Sequence, residues 1–184
     1  MDLGLRDRTA LVVGPDSVVG AACARALAAE GARVVKVLAD DVDIVVAHAD
    51  SRGRLSLSDV RSADDLHRSW DVVVDTVELF RSALAAMSGR GWGRFVWVGS
   101  AASRSLDAAD DELDAITSLA MRATQKVIAV EAGPTGVTAN AVLRGGEASP
   151  DDVAAAVVFL CSVGAGYITG VSIGVDGGVG ASVF

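Results

Sequence analysis

The sequence predicts an α/β fold: one doubly wound parallel sheet of about six strands with helices on both faces. Three observations predict it. Short apolar runs alternate with longer stretches of helical period along the chain. Hydrophobic residues make up 51% of the chain but aromatics only 4%, so Ala, Val and Gly carry most of the core, a mix suited to close packing of helix on sheet. The length, 184 residues, suits one domain over 1–184 rather than two.

Thr9 to Val13 (TALVV) is a buried strand ending at Gly14. Val18 to Glu30 follows as an Ala-rich helix, stopped by Gly31, which tolerates a left-handed backbone at a helix end. Arg33 to Leu38 and Asp43 to Val46 are the next two strands, joined by a very short acidic link. Ser51 to Ser62 is the most polar stretch and reads as a surface loop. It ends in a helix N-cap at Ser62, with Asp64 and Asp65 in the first turn. Val72, Thr76, Leu79, Phe80, Ala83 and Met87 recur at helical spacing, and Phe95 to Val98 is a buried strand. Leu113, Ile116, Ala120, Ala123 and Val127 mark a second long helix ending near Gly133-Pro134. Val137 to Val142 is a strand, Asp151 to Cys161 a helix preceded by Pro150, and Ile168 to Val175 the last strand. Alternating strands and helices of this kind build a Rossmann-like, doubly wound sheet.

Charge and composition exclude some functions. A net charge of −8 argues against binding a phosphate backbone, so no nucleic-acid partner is expected. No apolar run is long enough to span a bilayer, and no membrane partner is expected. The opening MDLGLRDRTALVV has no basic stretch followed by an apolar run, so no signal peptide is expected. Cys23 and Cys161 lie far apart and read as two buried thiols of a cytoplasmic protein, and the two histidines have no metal-ligand spacing.

Several stretches, in order, resemble the short-chain dehydrogenase/reductase family. TALVVGPDSVVGAACARALAAEGARVV resembles its cofactor-binding opening, and DIVVAHAD the strand ending in Asn-Asn-Ala-Gly. MSGRGWGRFVWVGSAAS resembles the strand that delivers the family's serine. IAVEAGPTGVTANAV resembles the helix and strand after its active-site tyrosine, and GYITGVSIGVDGG the closing strand. The resemblance implies a nicotinamide-dinucleotide fold. It also implies that two family parts are missing. One is a strand-helix unit between RVVKVL and DIVVAHAD. The other is the substrate lid, since NAVLRGGEASPDDVAAAVVFL passes almost directly from strand to helix. Strand RVVKVL then becomes an exposed edge, guarded by Lys36, Asp40 and Asp41.

The family binds its cofactor on Thr-Gly-x-x-x-Gly-x-Gly, whose glycines let the backbone approach the pyrophosphate. Here Gly14 and Gly20 remain, Val13 replaces the threonine, and Val18 replaces the middle glycine, with its methyls expected in the pyrophosphate space. By resemblance the vestigial cofactor positions are Gly14, Ser17, Val19, Gly20, Asp40 and Ala49. Asp40 is counted because the family's ribose-binding position falls on Leu38, just before it. The expectation is no cofactor, or weak NAD(P) binding. His48, at a strand's carboxyl end, is a candidate polar contact or proton carrier.

The family's proton donor is a tyrosine whose acidity depends on a lysine four residues later, assisted by a serine and an asparagine. Counting back from Glu131 and Asn140 puts the tyrosine position on Asp114, the lysine position on Ser118 and the asparagine near Val72. Ser100 matches the family's serine, as a vestigial catalytic position. The chain's single tyrosine, Tyr167, is followed four residues later by Val171, so no Tyr-x-x-x-Lys exists. The expectation is therefore a catalytically incomplete subunit, a structural or regulatory partner of an intact paralogous dehydrogenase in a hetero-oligomer, or a homo-oligomer. The alternative is an NAD(P)-dependent oxidoreductase of ketoreductase or hydroxyacyl dehydrogenase type, with Asp114, His48 or Ser100 as an unusual proton donor. A small-ligand binding module using the remaining cleft is the third reading.

Overall fold

A computed structural model describes residues 2–48, 59–104 and 112–180. Its six strands are β1 (Thr9–Val13), β2 (Arg33–Val35), β3 (Ile44–His48), β4 (Gly93–Ser100), β5 (Val137–Arg144) and β6 (Ser172–Val175). They form one sheet in the order β2-β1-β3-β4-β5-β6, and every pairing is parallel. Among the described residues, four α-helices cover it: α1 (Val18–Ala29), α2 (Ala63–Arg90), α3 (Glu112–Ala132) and α4 (Pro150–Cys161).

Alternation along the strands sorts the core into two layers. Side chains on a strand point to opposite faces in turn. Val12, Val46, Val96, Val98 and Val142 face α1 and α4, where they meet Val19, Leu27, Val157 and Leu160. Leu11, Val45, Phe95, Trp97 and Leu143 face α2 and α3, where they meet Phe80, Met87, Met121 and Ile128. Phe80 and Phe95 stack with ring centroids 4.6 Å apart. The central strands are buried on both faces, which is why their sequences are nearly continuous apolar runs.

Local chemistry fixes the helix ends. Ser62 caps α2 by accepting from Asp65 N, and the Asp65 carboxylate answers Ser62 N, a reciprocal capping box with Asp64 and Asp65 in the first turn as the sequence predicts. Ser149 and Asp152 repeat the device at α4, where Pro150 takes the first turn, which needs no N–H. Gly91 ends α2 in the left-handed region, φ 69°.

Two element expectations need correction. First, β2 stops at Val35 rather than Leu38. Parallel strands need a crossover, here only residues 36–43 with no helix, so the chain must leave β2 early to return to the start of β3. Leu38 and Val42 of this link close over the α2 side of the core. β2 stands at the margin of the sheet, with Lys36 exposed beyond it. Second, β6 begins at Ser172 rather than Ile168. The Asn140 side chain holds Ile168 O (2.8 Å) and Val171 N (3.2 Å), and Gly170 has φ 74°, so the approach is a side-chain-pinned bend. The long helix marked by Leu113 to Val127 is present as α3, with Ala123 and Val127 on its exposed side. The buried face carries Leu113, Ser118, Met121, Gln125 and Ile128. Its polar members hide it from a hydrophobicity count, and Gln125 Nε2 is buried because it donates to Ala139 O.

The amino ends of the strands form a charged foot. Two guanidiniums lie over the Trp92 ring, Arg8 at 3.9 Å and Arg94 at 4.3 Å from the centroid. Asp43 accepts from Thr9 N and pairs with Arg8 (3.8 Å) and Arg90 (3.4 Å). Among the described residues no helix is long and apolar enough to cross a membrane.

Candidate functional site at the carboxyl ends of the strands

In a doubly wound sheet, ligands bind beyond the carboxyl ends of the strands. Here those ends carry two groups of side chains.

The first group is the turn between β1 and α1. Gly14 has φ 75°, and a Cβ on it would lie 2.7 Å from His48 O. A Cβ on Gly20 would lie 2.0 Å from Gly14 O. Both glycines are thus required by the turn's own packing, whether or not a ligand binds. Ser17 caps α1: its Oγ accepts from Gly20 N (2.9 Å) and donates to Gly14 O (2.8 Å). His48 Nδ1, at the end of β3, lies 2.9 Å from the same oxygen. A hydroxyl has a single proton, and with that proton on Gly14 O the remaining bond must be donated by His48 Nδ1. The Gly20 amide, one of the donors a helix N-terminus turns toward an anion, is therefore already taken by Ser17. Val18 stands exposed at the first position of α1, and Val19 is buried in the core.

Asp40 is not brought to this turn. Its carbonyl accepts from Arg90 at the end of α2, and the neighbouring Asp41 pairs with Arg33 at the start of β2. Both contacts belong to the foot of the sheet, because the 36–43 link runs away from the carboxyl ends. Ala49 lies outside the described residues.

The second group lies where β4 ends against α3. Ser100 N donates to Ser118 Oγ (3.3 Å), so the positions matched to the family's serine and lysine do meet. Ser118 is 1% exposed. Ser100 Oγ accepts from Ala102 N (3.1 Å), and Ser100 O accepts from Ser103 Oγ (2.7 Å), which fold the following residues into a 3-10 turn over Ala101–Arg104. A Cβ on Gly99 would come within 2.5 Å of Trp97 Nε1 and 3.2 Å of Ser118 Oγ, so indole and serine fill this space between them. Asp114 sits half-buried one turn before Ser118 in the start of α3. The Val72 position falls within α2.

Past β5, residues 145–149 join Arg144 directly to α4, with Gly145 N bonded to Val175 O. An open groove of about 600 Å³ beside this link is lined by Glu147, Asp152, Gly174, Asp176 and Val179. Among the described residues no three His, Cys, Asp or Glu side chains are grouped to hold a metal ion.

Two features escaped the sequence reading. The Ser17–His48 contact joins residues 31 apart, and only the placement of both at strand carboxyl ends hints at it. Arg122, one helical turn after Ser118, bonds to Ser103 O (2.8 Å) and Ser172 Oγ (3.3 Å), partners that are distant in sequence and give no local signal.

Comparison with known proteins agrees with this architecture. The family model described as Enoyl-(Acyl carrier protein) reductase matches residues 143–180. No curated protein matches the sequence. A solved structure of a short chain dehydrogenase/reductase family protein is 27% identical, with a TM-score of 0.86 over 97% of this chain and 98% of the other. A doubly substituted short-chain dehydrogenase/reductase from Serratia marcescens is 25% identical, with a TM-score of 0.80 over 95% of this chain and 98% of the other. A 3-oxoacyl (acyl-carrier-protein) reductase from Agrobacterium tumefaciens, solved with NADP bound, shares the fold at 23% identity, with a TM-score of 0.85 over 96% of each chain. The motif order, the all-parallel six-stranded sheet and these likenesses converge: the chain has the fold of the short-chain dehydrogenase/reductases and is similar to them along nearly its whole length, in a shortened form.

Proposed function

We propose that this chain is a catalytically incomplete member of its family, acting as a structural or regulatory subunit beside an intact paralogous dehydrogenase. The observation that carries this reading is Ser118. Where the family's lysine would be, there is a buried serine whose hydroxyl accepts from Ser100 N. Hydride delivery to a carbonyl builds charge on oxygen, which needs a proton donor or a stabilising group. Without a Tyr-x-x-x-Lys pair, general acid catalysis worth about 10²–10⁴ in rate is lost. Two further features support retention for association. The outer face of α3 exposes Leu119, Ala123, Val127 and Val130 in one stripe, and α2 exposes Trp70 and Val74. Apolar helix faces of this kind suit burial against a second subunit, a paralogue or another copy of this chain. Two buried free thiols fit a reducing, cytoplasmic setting.

Two measurements test the reading. The isolated chain should not turn over a panel of ketones and β-ketoacyl thioesters with NADH or NADPH. Coexpression with an intact paralogue should yield a heteromer by native mass spectrometry. Turnover above background that Ser100→Ala abolishes would refute it, as would a monodisperse monomer with no captured partner.

A second reading is an NAD(P)-dependent oxidoreductase with a non-standard site. The observation favouring it is the β1–α1 turn, which keeps Gly14 and Gly20 and has His48 at its mouth. Calorimetry with NADH and NADPH separates the two. Micromolar binding favours the enzyme, and absent or weak binding that Val18→Gly does not restore favours the subunit.

A further inference from the structure

On the α3 side of the edge strand β6, two arginines converge. Arg122 reaches from the middle of α3 to Ser172 Oγ, the first residue of β6, and to Ser103 O. Arg104, at the end of the 3-10 turn after β4, lies over the same strand: a Cβ on Gly174 would come within 2.7 Å of its terminal nitrogen. Gly174 thus leaves room for a guanidinium to rest on the strand. Both arginines are half-buried. Burial, and then the neighbouring Arg104 charge, hold the Arg122 guanidinium below its usual value. None of the ion pairs among the described residues involves either arginine. Asp176 faces Arg104 across Gly174, but its Oδ1 accepts from Gly178 N (2.9 Å) and it forms no ion pair there.

Like charges held together in a partly desolvated place repel, and an anion between them reverses the sign of that interaction. The donors to hold one are available. A guanidinium carries five N–H donors, of which Arg122 commits one to Ser172 and one to Ser103. Arg104 commits none among the described residues. We propose that Arg104 and Arg122 form a binding site for a compact oxyanion, a carboxylate or phosphate group, held at the β6 margin beside Ser172. The site needs neither the dinucleotide turn nor the Ser100–Ser118 contact, so it stands apart from the reading of the chain as a catalytically incomplete subunit.

The test is calorimetric titration of the full chain with sodium malonate and with sodium phosphate, at constant ionic strength made up with chloride. One or both should bind saturably. Arg104→Gln and Arg122→Gln should each weaken binding about tenfold or more, the scale of a lost charge-assisted contact. Arg25→Gln, which removes an exposed arginine on α1, should leave binding unchanged. Thermal melts check folding, and if Arg122→Gln fails to fold, Arg104→Gln decides. Absence of saturable binding overturns the proposal, as does equal weakening by Arg25→Gln. Asp107, Asp110 and Asp111 follow Arg104 in the sequence and lie outside the described residues. If malonate or phosphate binds only to the D107N/D110N/D111N variant, the chain supplies its own anion and the external site is refuted.

Discussion

Replacing Gly20 by alanine tests whether the β1–α1 turn is a packing device in its own right. In an open helix this substitution stabilises by about 0.5–1 kcal/mol, because alanine loses less backbone freedom on folding. At Gly20 the new methyl would sit 2.0 Å from Gly14 O and 3.0 Å from Ser17 Oγ. The first neighbour is backbone and cannot rotate away, so the start of α1 must retreat by about 1.4 Å to reach an ordinary contact. That retreat stretches the Gly20 N bond to Ser17, a cap worth about 1 kcal/mol. It also adds overpacking of about 1–3 kcal/mol. Set against the helix gain, the net destabilisation is about 1–3 kcal/mol, or a fall in Tm of roughly 2–12 °C for a chain of this size. Gly89 is the control: it lies in α2 with nothing within 4 Å of its virtual Cβ, so Gly89→Ala should be neutral or stabilising by about 0.5 kcal/mol. Urea denaturation of both variants, without added nucleotide, reads the difference. A Gly20→Ala protein within about 0.3 kcal/mol of the parent would refute the steric argument, since that is the scatter of such measurements.

Asn140 is 0% exposed and holds both Ile168 O and Val171 N, so Asn140→Ala should destabilise by about 1–3 kcal/mol and loosen the approach to β6, read as faster amide exchange at Val171. The thiols should be inert: burial pushes Cys23 up to about 11 and Cys161 up to about 12, so a disulfide reagent at pH 8 should label neither until urea unfolds the chain. The capping carboxylates should fail in acid. A backbone bond from Arg61 holds Asp65 below the ordinary carboxylate value, and the Ser149 hydroxyl does the same for Asp152. A depressed folded pKa contributes stability above the unfolded value that is lost as pH falls through the folded one. Amide exchange in the first turns of α2 and α4 should therefore rise in that acid window, and Asp152→Asn should remove the pH dependence at α4.

Much of this architecture was legible because its signals are local. TALVV reads as a strand from its own five residues, and Ser62 as a cap from the acids that follow it. What failed depended on distance or on polar residues in the core. Ser118 and Gln125 are buried for reasons supplied by β4 and β5, so no count of apolar spacing within α3 could find its inner face. Asp40 looked like a site residue by its nearness to Leu38, yet the direction of the 36–43 link takes it to the opposite end of the sheet. Ser100 and Ser118 were matched by family alignment, but only the folded chain shows that they touch.

The short link from β2 to β3 also bears on modularity. A strand lost from the middle of a sheet leaves two raw edges, whereas one lost beyond β2 leaves a single three-residue margin. The link that bridges the gap is exposed at Lys36, Val37 and Ala39, and anchors to the core through Leu38 and Val42. Such a place tolerates insertion, since added chain there lengthens a surface connection and leaves the other strand pairings untouched. The 36–43 link is thus the natural port for grafting: a new helix and strand, or a whole guest domain, can enter there without disturbing the six strands already paired.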